Sequence, residues 1–432
     1  MSGDRFRCHI FYVMYEPTGR PLAHLAFLWP ALAAASASEF ASSVARQFIE
    51  LTGATGDSVT PRAPEWSTPN NVALELNCVR LRDFSTARLG LPTLLCAPFA
   101  LHDATVVDLA PGHSLIAALR AAGLDHLFVT HWRTANANMR FLSIDDYLAN
   151  LNVMVDQLGS RIDLVGLCQG GWLSLLYAAR FPGKVRKMVL AGAPVDIAAA
   201  ASGISVIADA SPSSLFEQLV KLGGGRVLGQ MMLKCWGPEM LEDADIHQLL
   251  QTHEPIDSAA FALLTERFRA WYAWTVDLPG TYYLEVIEKL YKHNDLAGGR
   301  FAALGQEVNL AALRTPLFLL AARDDELVAP EQLFATERLV GTPVQDIHKE
   351  LVGGRHLELF VGQQILNETW QRIARWLAEP QRLAPSASWH QDRKSLVART
   401  CDASASDGAI SKESSPAIAN MRVRSSGNSS TA

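Results

Sequence analysis

The sequence predicts an α/β protein with a mostly parallel sheet, flanking helices and an inserted cap. Short apolar runs alternate with longer helical periodicities over residues 66–379. Strands that alternate with helices of about 10–15 residues indicate βαβ units, in which neighbouring strands are parallel. A long, irregular, aromatic-rich segment interrupts this alternation once, and one apolar run leads directly into a glycine-rich turn and a helix.

Five apolar runs have the length and composition of buried strands. They are residues 91–97, 126–130, 162–166, 185–191 and 316–321. Between them lie three helical periodicities, at residues 114–122, 144–158 and 170–181. These alternating strands and helices form the predicted α/β core.

Composition divides the chain into five predicted segments. Residues 1–65 are expected to form a helical N-terminal arm and a proline-marked linker. The first part of the α/β core spans residues 66–195 and the second part spans residues 311–380. Between the two parts lies the cap segment, residues 196–310, which we expect to cover the carboxyl ends of the strands. Residues 381–432 are Ser-rich with few apolar side chains, so we expect a disordered tail.

Charge and cysteine content exclude several classes of function. The 432 residues include 38 Lys and Arg against 44 Asp and Glu, a net charge of −6, which does not favour nucleic-acid binding. The six cysteines form no C-x-x-C pair and no zinc-ligand spacing. We therefore expect neither a metal nor a cofactor, and a reducing cytoplasm as the compartment.

The N-terminal region contains an apolar stretch at residues 22–35 that imitates the core of a signal peptide. It starts late, lacks a compact basic region before it, and carries His24 and Pro30. We interpret it as an apolar helix that packs on the main domain or on a hydrophobic partner surface. Because no run of 18 uninterrupted apolar residues occurs, we do not expect a transmembrane span.

The segment IDLVGLCQGGW, residues 162–172, carries the strongest functional signal. An apolar strand runs into G-x-C-x-G-G and then into a helix, which is the context of a nucleophile elbow in the α/β-hydrolase fold. Gly166, Gly170 and Gly171 fit such a turn because residues near the nucleophile must lack bulk. Cys168 would stand at a helix N-terminus, where negative charge is favoured. The alternative is a buried cysteine in an ordinary βα turn.

A cysteine nucleophile needs a base and an orienting acid, and in this fold both follow the nucleophile, acid first. Asp325 comes after the predicted strand at 316–321 and is the expected acid, with Asp324 as second choice. His356 lies in a glycine-flanked loop and is the expected base. The order and the positions after strands favour a Cys168–His356–Asp325 triad over solvated loop residues.

Attack on a carbonyl group creates an oxyanion, which backbone N–H groups must stabilise. The N–H of Gln169 is the expected first donor. The second is expected after the first core strand, at Phe99 or Ala100. A thiol nucleophile is well suited to thioester exchange, since the entering and leaving sulfur atoms are nearly matched in energy.

At these residues the chain resembles the polyhydroxyalkanoate synthase family and the related intracellular polyhydroxyalkanoate depolymerases, over about residues 92–376. Residues 166–171 fit the synthases' G-x-C-x-G-G box without a gap. Other segments similar to the family are THWR at 130–133, DDY at 145–147, DLPGTYYL at 277–284 and VNL at 308–310. The resemblance implies hydroxyacyl-CoA or polyester as the substrate. It also implies possible contact with polyester granules and a possible homodimer.

The chain also departs from the synthase pattern. Synthases usually carry His directly after the acid, whereas Glu326 follows Asp325 here. The loop at 354–362 and the segment at 97–105 are closer to the depolymerases. The pair Cys168–Gln169 is also similar to that of the depolymerases, but their next residue is proline and here it is Gly170.

Three functions are consistent with these features. The first is synthase-like transfer of 3-hydroxyacyl groups through Cys168, which the nucleophile box favours. The second is a depolymerase, or another ester or thioester hydrolase, with the same triad. The third, from another class, is a catalytically idle granule-binding or scaffold protein, which an intact triad disfavours.

Overall fold

The computed structural model describes residues 62–236, 243–250 and 258–380. The predicted N-terminal arm lies outside these ranges up to residue 61, including the apolar stretch at 22–35. The predicted tail at 381–432 lies wholly outside them.

Eight strands form one central sheet in the order β1-β2-β4-β3-β5-β6-β7-β8. The strands are β1 Asn71–Glu75, β2 Val79–Asp83, β3 Thr93–Cys96, β4 Leu127–Trp132, β5 Ile162–Leu167, β6 Val185–Ala191, β7 Leu317–Ala322 and β8 Ile347–Val352. Strand β2 is antiparallel to β1 and to β4, and all other neighbours are parallel. The predicted mostly parallel sheet is confirmed.

The central strands are apolar because helices cover both faces of the sheet. Every residue of β3, β5 and β7 is buried, as expected for parallel strands inside an α/β sheet. The edge strands differ, since β1 and β8 have mostly exposed or half-buried residues. All five predicted strands are present, with small shifts at their ends.

Helices connect the strands and complete the core. Those of the core are α1 Leu115–Ala121, α2 Ile144–Gln157, α3 Gln169–Arg180, α10 Pro330–Phe334, α11 Thr336–Leu339, α12 Glu358–Val361 and α13 Gln363–Ala378. The side chain of Ser114 accepts the N–H of Ala117, and Ser143 forms a capping box with Asp146, so the sequence itself fixes where α1 and α2 begin. No helix in the described ranges is long and apolar enough to cross a membrane.

The cap segment lies between β6 and β7 in the chain. Its described elements are α4 Gly203–Ala210, α5 Ser213–Leu222, α6 Gly229–Trp236, α7 Asp243–Leu249, α8 Ser258–Ala273, α9 Gly280–Glu285 and a π-helix, Val286–Lys292. The indole of Trp271 donates to the Asp103 carbonyl at 2.9 Å, and the N–H of Val276 donates to the Leu101 carbonyl at 2.8 Å. Both acceptors lie in the loop after β3, so these contacts join the cap segment to the carboxyl end of the sheet.

Candidate active site

Cys168 stands at the sharp turn between β5 and α3. Its φ of 49° is in the left-handed region, which non-glycine residues rarely adopt. The backbone N–H of Cys168 donates to the Ala191 carbonyl at 2.9 Å, and the Cys168 carbonyl accepts the N–H of Gly171 at 2.9 Å. These bonds hold the strained residue in place, as is typical of residues that carry function.

The three glycines of the turn are required by space. A Cβ atom on Gly166 would lie 2.6 Å from the Gly171 Cα, and one on Gly171 would overlap the Ala193 Cβ. At Gly170 a Cβ would meet the carbonyl oxygens of two residues at the end of β3 and after it, the nearer of them far inside van der Waals contact. The backbone of α3 therefore approaches β3 so closely that side chains are excluded.

His356 and Asp325 meet beneath the turn. The imidazole Nδ1 lies 2.7 Å from Oδ2 of Asp325, and both side chains are buried. The other carboxylate oxygen, Oδ1, accepts the N–H groups of Leu327 and Val328 at 2.9 and 2.8 Å. Asp324, the second choice for the acid, is exposed, and its backbone N–H donates to the Gly354 carbonyl. The geometry thus distinguishes the two candidate acids.

The electrostatics of His356 favour its charged form. Burial is the largest single influence on its pKa and lowers it, while the charges of Asp325 and Cys168 raise it. Hydrogen bonding to the same two side chains acts in the same direction, so the pKa of His356 lies well above 6.5. Because Asp325 occupies Nδ1, the buried Nε2 is the nitrogen available to exchange a proton with the Cys168 thiol.

Gln169, the expected first oxyanion donor, is the first residue of α3, so its backbone N–H has no acceptor within the helix. Its side chain is held on both sides. The amide nitrogen donates to the Tyr291 hydroxyl at 2.6 Å, and the amide oxygen accepts the Trp172 indole N–H at 2.6 Å. Tyr291 belongs to the π-helix of the cap segment, and π-turns of this kind are frequent at functional sites.

Phe99 and Ala100, the expected sources of the second donor, lie in the loop after β3 and line the same cavity as Gln169. The Phe99 ring stacks on Tyr147 at a centroid distance of 4.8 Å and packs against Tyr282 at 5.3 Å. These contacts fix the loop beside the turn. The structure therefore brings all three expected oxyanion residues to one cavity.

The site is closed to solvent. Cys168 is 1% exposed and His356 is 0% exposed. In the described ranges, no cluster of three or more His, Cys, Asp and Glu side chains has the arrangement of a metal site.

Comparison with known proteins identifies the family of this chain. The sequence pattern of the alpha/beta hydrolase fold family matches residues 121–361. The PhaC subunit of the poly(3-hydroxyalkanoate) polymerase from Synechocystis sp. is 30% identical over 291 residues, which cover 64% of this chain and 75% of that protein. The chain belongs to the poly(3-hydroxyalkanoate) polymerase family. It is an enzyme of the acyltransferase type, with the predicted α/β-hydrolase fold.

Two further polymerase subunits agree with this assignment. The PhaC subunit from Haloferax mediterranei is 23% identical over 351 residues, covering 78% of this chain and 69% of that protein. The PhaC subunit from Allochromatium vinosum is 26% identical over 280 residues, covering 63% of this chain and 77% of that protein. The predicted family is thereby confirmed.

In this polymerase-family chain, Glu326 follows Asp325 of the His356–Asp325 pair directly. Burial, followed by the neighbouring charge of Asp325, raises the pKa of the Glu326 carboxyl group. Its Oε2 atom is buried with no hydrogen-bond partner in the described part of the chain. The departure from the synthase pattern therefore places a second acidic group close to His356.

The sequence did not indicate the side chains that hold Gln169 and the loop after β3 in this polymerase-family chain. Tyr291 was only one of many aromatic residues in the cap segment, and 122 positions separate it from Gln169. Asp103 was not singled out, although its carboxylate accepts from His131 at 2.9 Å and its carbonyl from Trp271. The spacing of residues along a short segment does not indicate contacts between residues so far apart in the sequence.

Proposed function

We propose that this enzyme transfers 3-hydroxyacyl groups from hydroxyacyl-CoA, through a thioester on Cys168, to a growing polyester. The observation that carries the proposal is a cysteine at the elbow, buried beside a His356–Asp325 pair whose imidazole favours a proton. Polymerase-family membership supports the choice of substrate.

The first half-reaction exchanges one thioester for another. The Cys168 thiol gives its proton to Nε2 of His356, and the thiolate attacks the thioester carbonyl of hydroxyacyl-CoA. The N–H of Gln169 and an N–H at Phe99 or Ala100 stabilise the tetrahedral oxyanion. The carbon–sulfur bond to CoA breaks, the CoA thiolate takes the proton from His356, and the acyl group remains on Cys168.

The second half-reaction forms the ester bond. A hydroxyl group at the end of another acyl chain gives its proton to His356 and attacks the Cys168 thioester. The bond to Cys168 then breaks, and the thiolate takes the proton back. Burial of Cys168 and His356 supports synthesis over hydrolysis, because a site closed to water disfavours water as the acceptor.

The decisive experiment mixes the purified protein with (R)-3-hydroxybutyryl-CoA and follows free CoA, with Cys168→Ala as the blank. We expect CoA release, growth of insoluble polymer and an acyl adduct on Cys168 by intact mass. Release with only free acid would make the protein a hydrolase. An adduct that persists in Cys168→Ala, or no release and no adduct in the natural sequence, would refute the proposal.

We also propose a polyester granule as the partner surface and a second copy of this chain as a partner. The apolar stretch at residues 22–35 and the family resemblance support these partners. The enzyme would then lie at the granule surface, where its polymer product accumulates.

A further inference from the structure

The loop after β3, residues 97–103, contains the two residues that we expect to supply the second oxyanion donor, and we call it the oxyanion loop. Strand β4 holds the first residue of this loop. The N–H of Ala97 donates to the Thr130 hydroxyl at 3.0 Å, and the Ala97 carbonyl accepts the indole N–H of Trp132 at 2.9 Å. Strand β4 therefore sets the direction in which the oxyanion loop leaves the sheet.

The last residue of the oxyanion loop, Asp103, is held by the β4 residue that lies between those two. Nε2 of His131 is 2.9 Å from Oδ2 of Asp103, and Oδ1 accepts the N–H of Thr105 at 2.9 Å. Both oxygens of this buried carboxylate are therefore bonded. Three consecutive residues of one strand thus fix the two ends of the oxyanion loop.

The orientation of His131 is set by its other neighbours. Nε of Arg82, on β2, lies 3.2 Å from Nδ1 of the imidazole. Because a guanidinium group can only donate, Nδ1 accepts and the ring proton is on Nε2, directed at Asp103. The indole of Trp66 packs edge-on against the imidazole at a centroid distance of 5.4 Å. His131 is therefore held in the tautomer that donates to the oxyanion loop.

The cap segment holds the same loop from the other side. The Trp271 indole donates to the Asp103 carbonyl at 2.9 Å, and the Val276 N–H donates to the Leu101 carbonyl at 2.8 Å. The His102 ring packs 4.7 Å from the Trp271 ring. Any movement of the cap segment away from the core removes these contacts, whereas the bonds from β4 lie within the core and persist.

We propose that His131 and Asp103 are positioning residues that keep the N–H groups of Phe99 and Ala100 directed at the oxyanion while the cap segment opens and closes. They act through the loop and not on the substrate. Because a displacement of about 1 Å in such a site can reduce the rate about 100-fold, a loop held at one end only would be a poor oxyanion site. This inference rests on the proposed acyl transfer and adds two residues to its machinery.

Two substitutions break the pair. His131→Leu removes the donor. Asp103→Asn keeps the shape of the side chain, but an amide has one acceptor oxygen and an NH₂ group, so it cannot accept from both Thr105 and His131 as the carboxylate does. Either variant suffices should the other fail to fold.

The test measures two reactions of Cys168 in these variants. Acylation by (R)-3-hydroxybutyryl-CoA, followed as CoA release, creates an oxyanion. Alkylation by iodoacetamide replaces iodide at a saturated carbon and creates none. We expect kcat and kcat/KM for CoA release to fall together by about 100-fold, and alkylation not to slow.

Two further variants separate positioning from a general loss of stability. His131→Gln keeps an N–H donor close to the position of Nε2 and should restore most of the lost rate. Asp163→Asn is the matched control, because Asp163 is also a buried carboxylate, bonded to Nε of Arg186 at 2.8 Å, but lies near the amino end of β5. We expect it to lower the midpoint of urea unfolding, as Asp103→Asn does, and to leave CoA release unchanged.

Unchanged CoA release in both broken variants, parallel losses of acylation and alkylation, an equal loss in Asp163→Asn, or no recovery in His131→Gln would overturn the positioning role. Cleavage of p-nitrophenyl acetate, which also creates an oxyanion, distinguishes this result from failure of the proposed function. If the natural sequence reacts with the ester but releases no CoA, the proposed function fails, and the same variants compared on the ester still test the pair. No adduct on Cys168 from either substrate would overturn both proposals.

Discussion

At the scale of single residues, the charge of Asp325 helps to raise the pKa of His356. Two backbone N–H groups hold the carboxylate, which lies 2.7 Å from the imidazole. Without that carboxylate, burial, which lowers the pKa of His356, would be opposed only by the charge of Cys168 and the hydrogen bond to it. We expect Asp325→Asn to lower the pKa of His356 and to reduce kcat by about three to four powers of ten, as loss of the acid does in other triads. NMR titration of the His356 ring and steady-state kinetics measure the two effects.

The same substitution changes the dependence of stability on pH. Because the pKa of His356 is raised in the folded protein, its contribution to the free energy of unfolding is fully present below about pH 6.5. The contribution is lost as pH rises through the higher folded value. Asp325→Asn should abolish this component, while Asp324→Asn, at an exposed side chain, should preserve both titration and activity. Equal effects of the two substitutions would contradict the assignment of the acid.

At the scale of secondary structure, the elbow depends on the close approach of α3 to β3. A Cβ on Gly170 would meet the carbonyl oxygens of Cys96 and Ala97, and neither backbone segment can retreat inside the sheet. We expect Gly170→Ala to lower the free energy of unfolding by at least about 1–3 kcal/mol, measured by urea unfolding. Gly353→Ala is the control, since a Cβ there meets nothing within 4 Å. Similar midpoints for both variants would show that the turn tolerates bulk.

The elements that the sequence predicted are those with a strong local signal. The runs that became β3, β5 and β7 are continuously buried, so hydrophobicity alone indicates them. Strands β1, β2 and β8 were not predicted. Strands β1 and β8 lie at the edges of the sheet and carry mostly exposed or half-buried side chains, and β2 has only two buried residues of five. Strand β1 pairs with β2 only a few residues further along the chain, whereas β8 pairs with β7, 30 positions earlier.

The candidate site also has some contacts that the sequence indicated and others that it could not indicate. The order Cys168, Asp325, His356 and the flanking strands sufficed to indicate which side chains would meet. The contact of Tyr291 with Gln169 could not be inferred in this way, because it depends on how the cap segment packs on the core. The sequence preferred Asp325 to Asp324 as the acid, and the loop buries the Asp325 carboxylate while it exposes that of Asp324.

At the scale of the whole molecule, the side chain of Cys168 is 1% exposed. If Cys168 carries the proposed acyl transfer, we expect the cap segment to move away from the core before a CoA thioester reaches it. Within the described ranges, the hydrogen bonds that join the two parts include these three: Tyr291 with Gln169, Trp271 with Asp103, and Val276 with Leu101. Opening must break some or all of them. Burial raises the pKa of Cys78 and Cys96 to about 12, so these thiols stay unreactive while the fold persists. Alkylation of Cys168 therefore reports on opening.

Removing one of the three bonds should make opening easier. We expect Tyr291→Phe to speed the alkylation of Cys168 by iodoacetamide about fivefold, because a net hydrogen bond contributes about 1 kcal/mol. Mass spectrometry of the labelled peptides separates Cys168 from the other cysteines. Tyr177→Phe is the matched control, since the Tyr177 hydroxyl bonds to Asn152, outside the cap segment. If Cys168 reacts as fast as a free thiol in the natural sequence, or if Tyr177→Phe accelerates it equally, the cap segment does not control access.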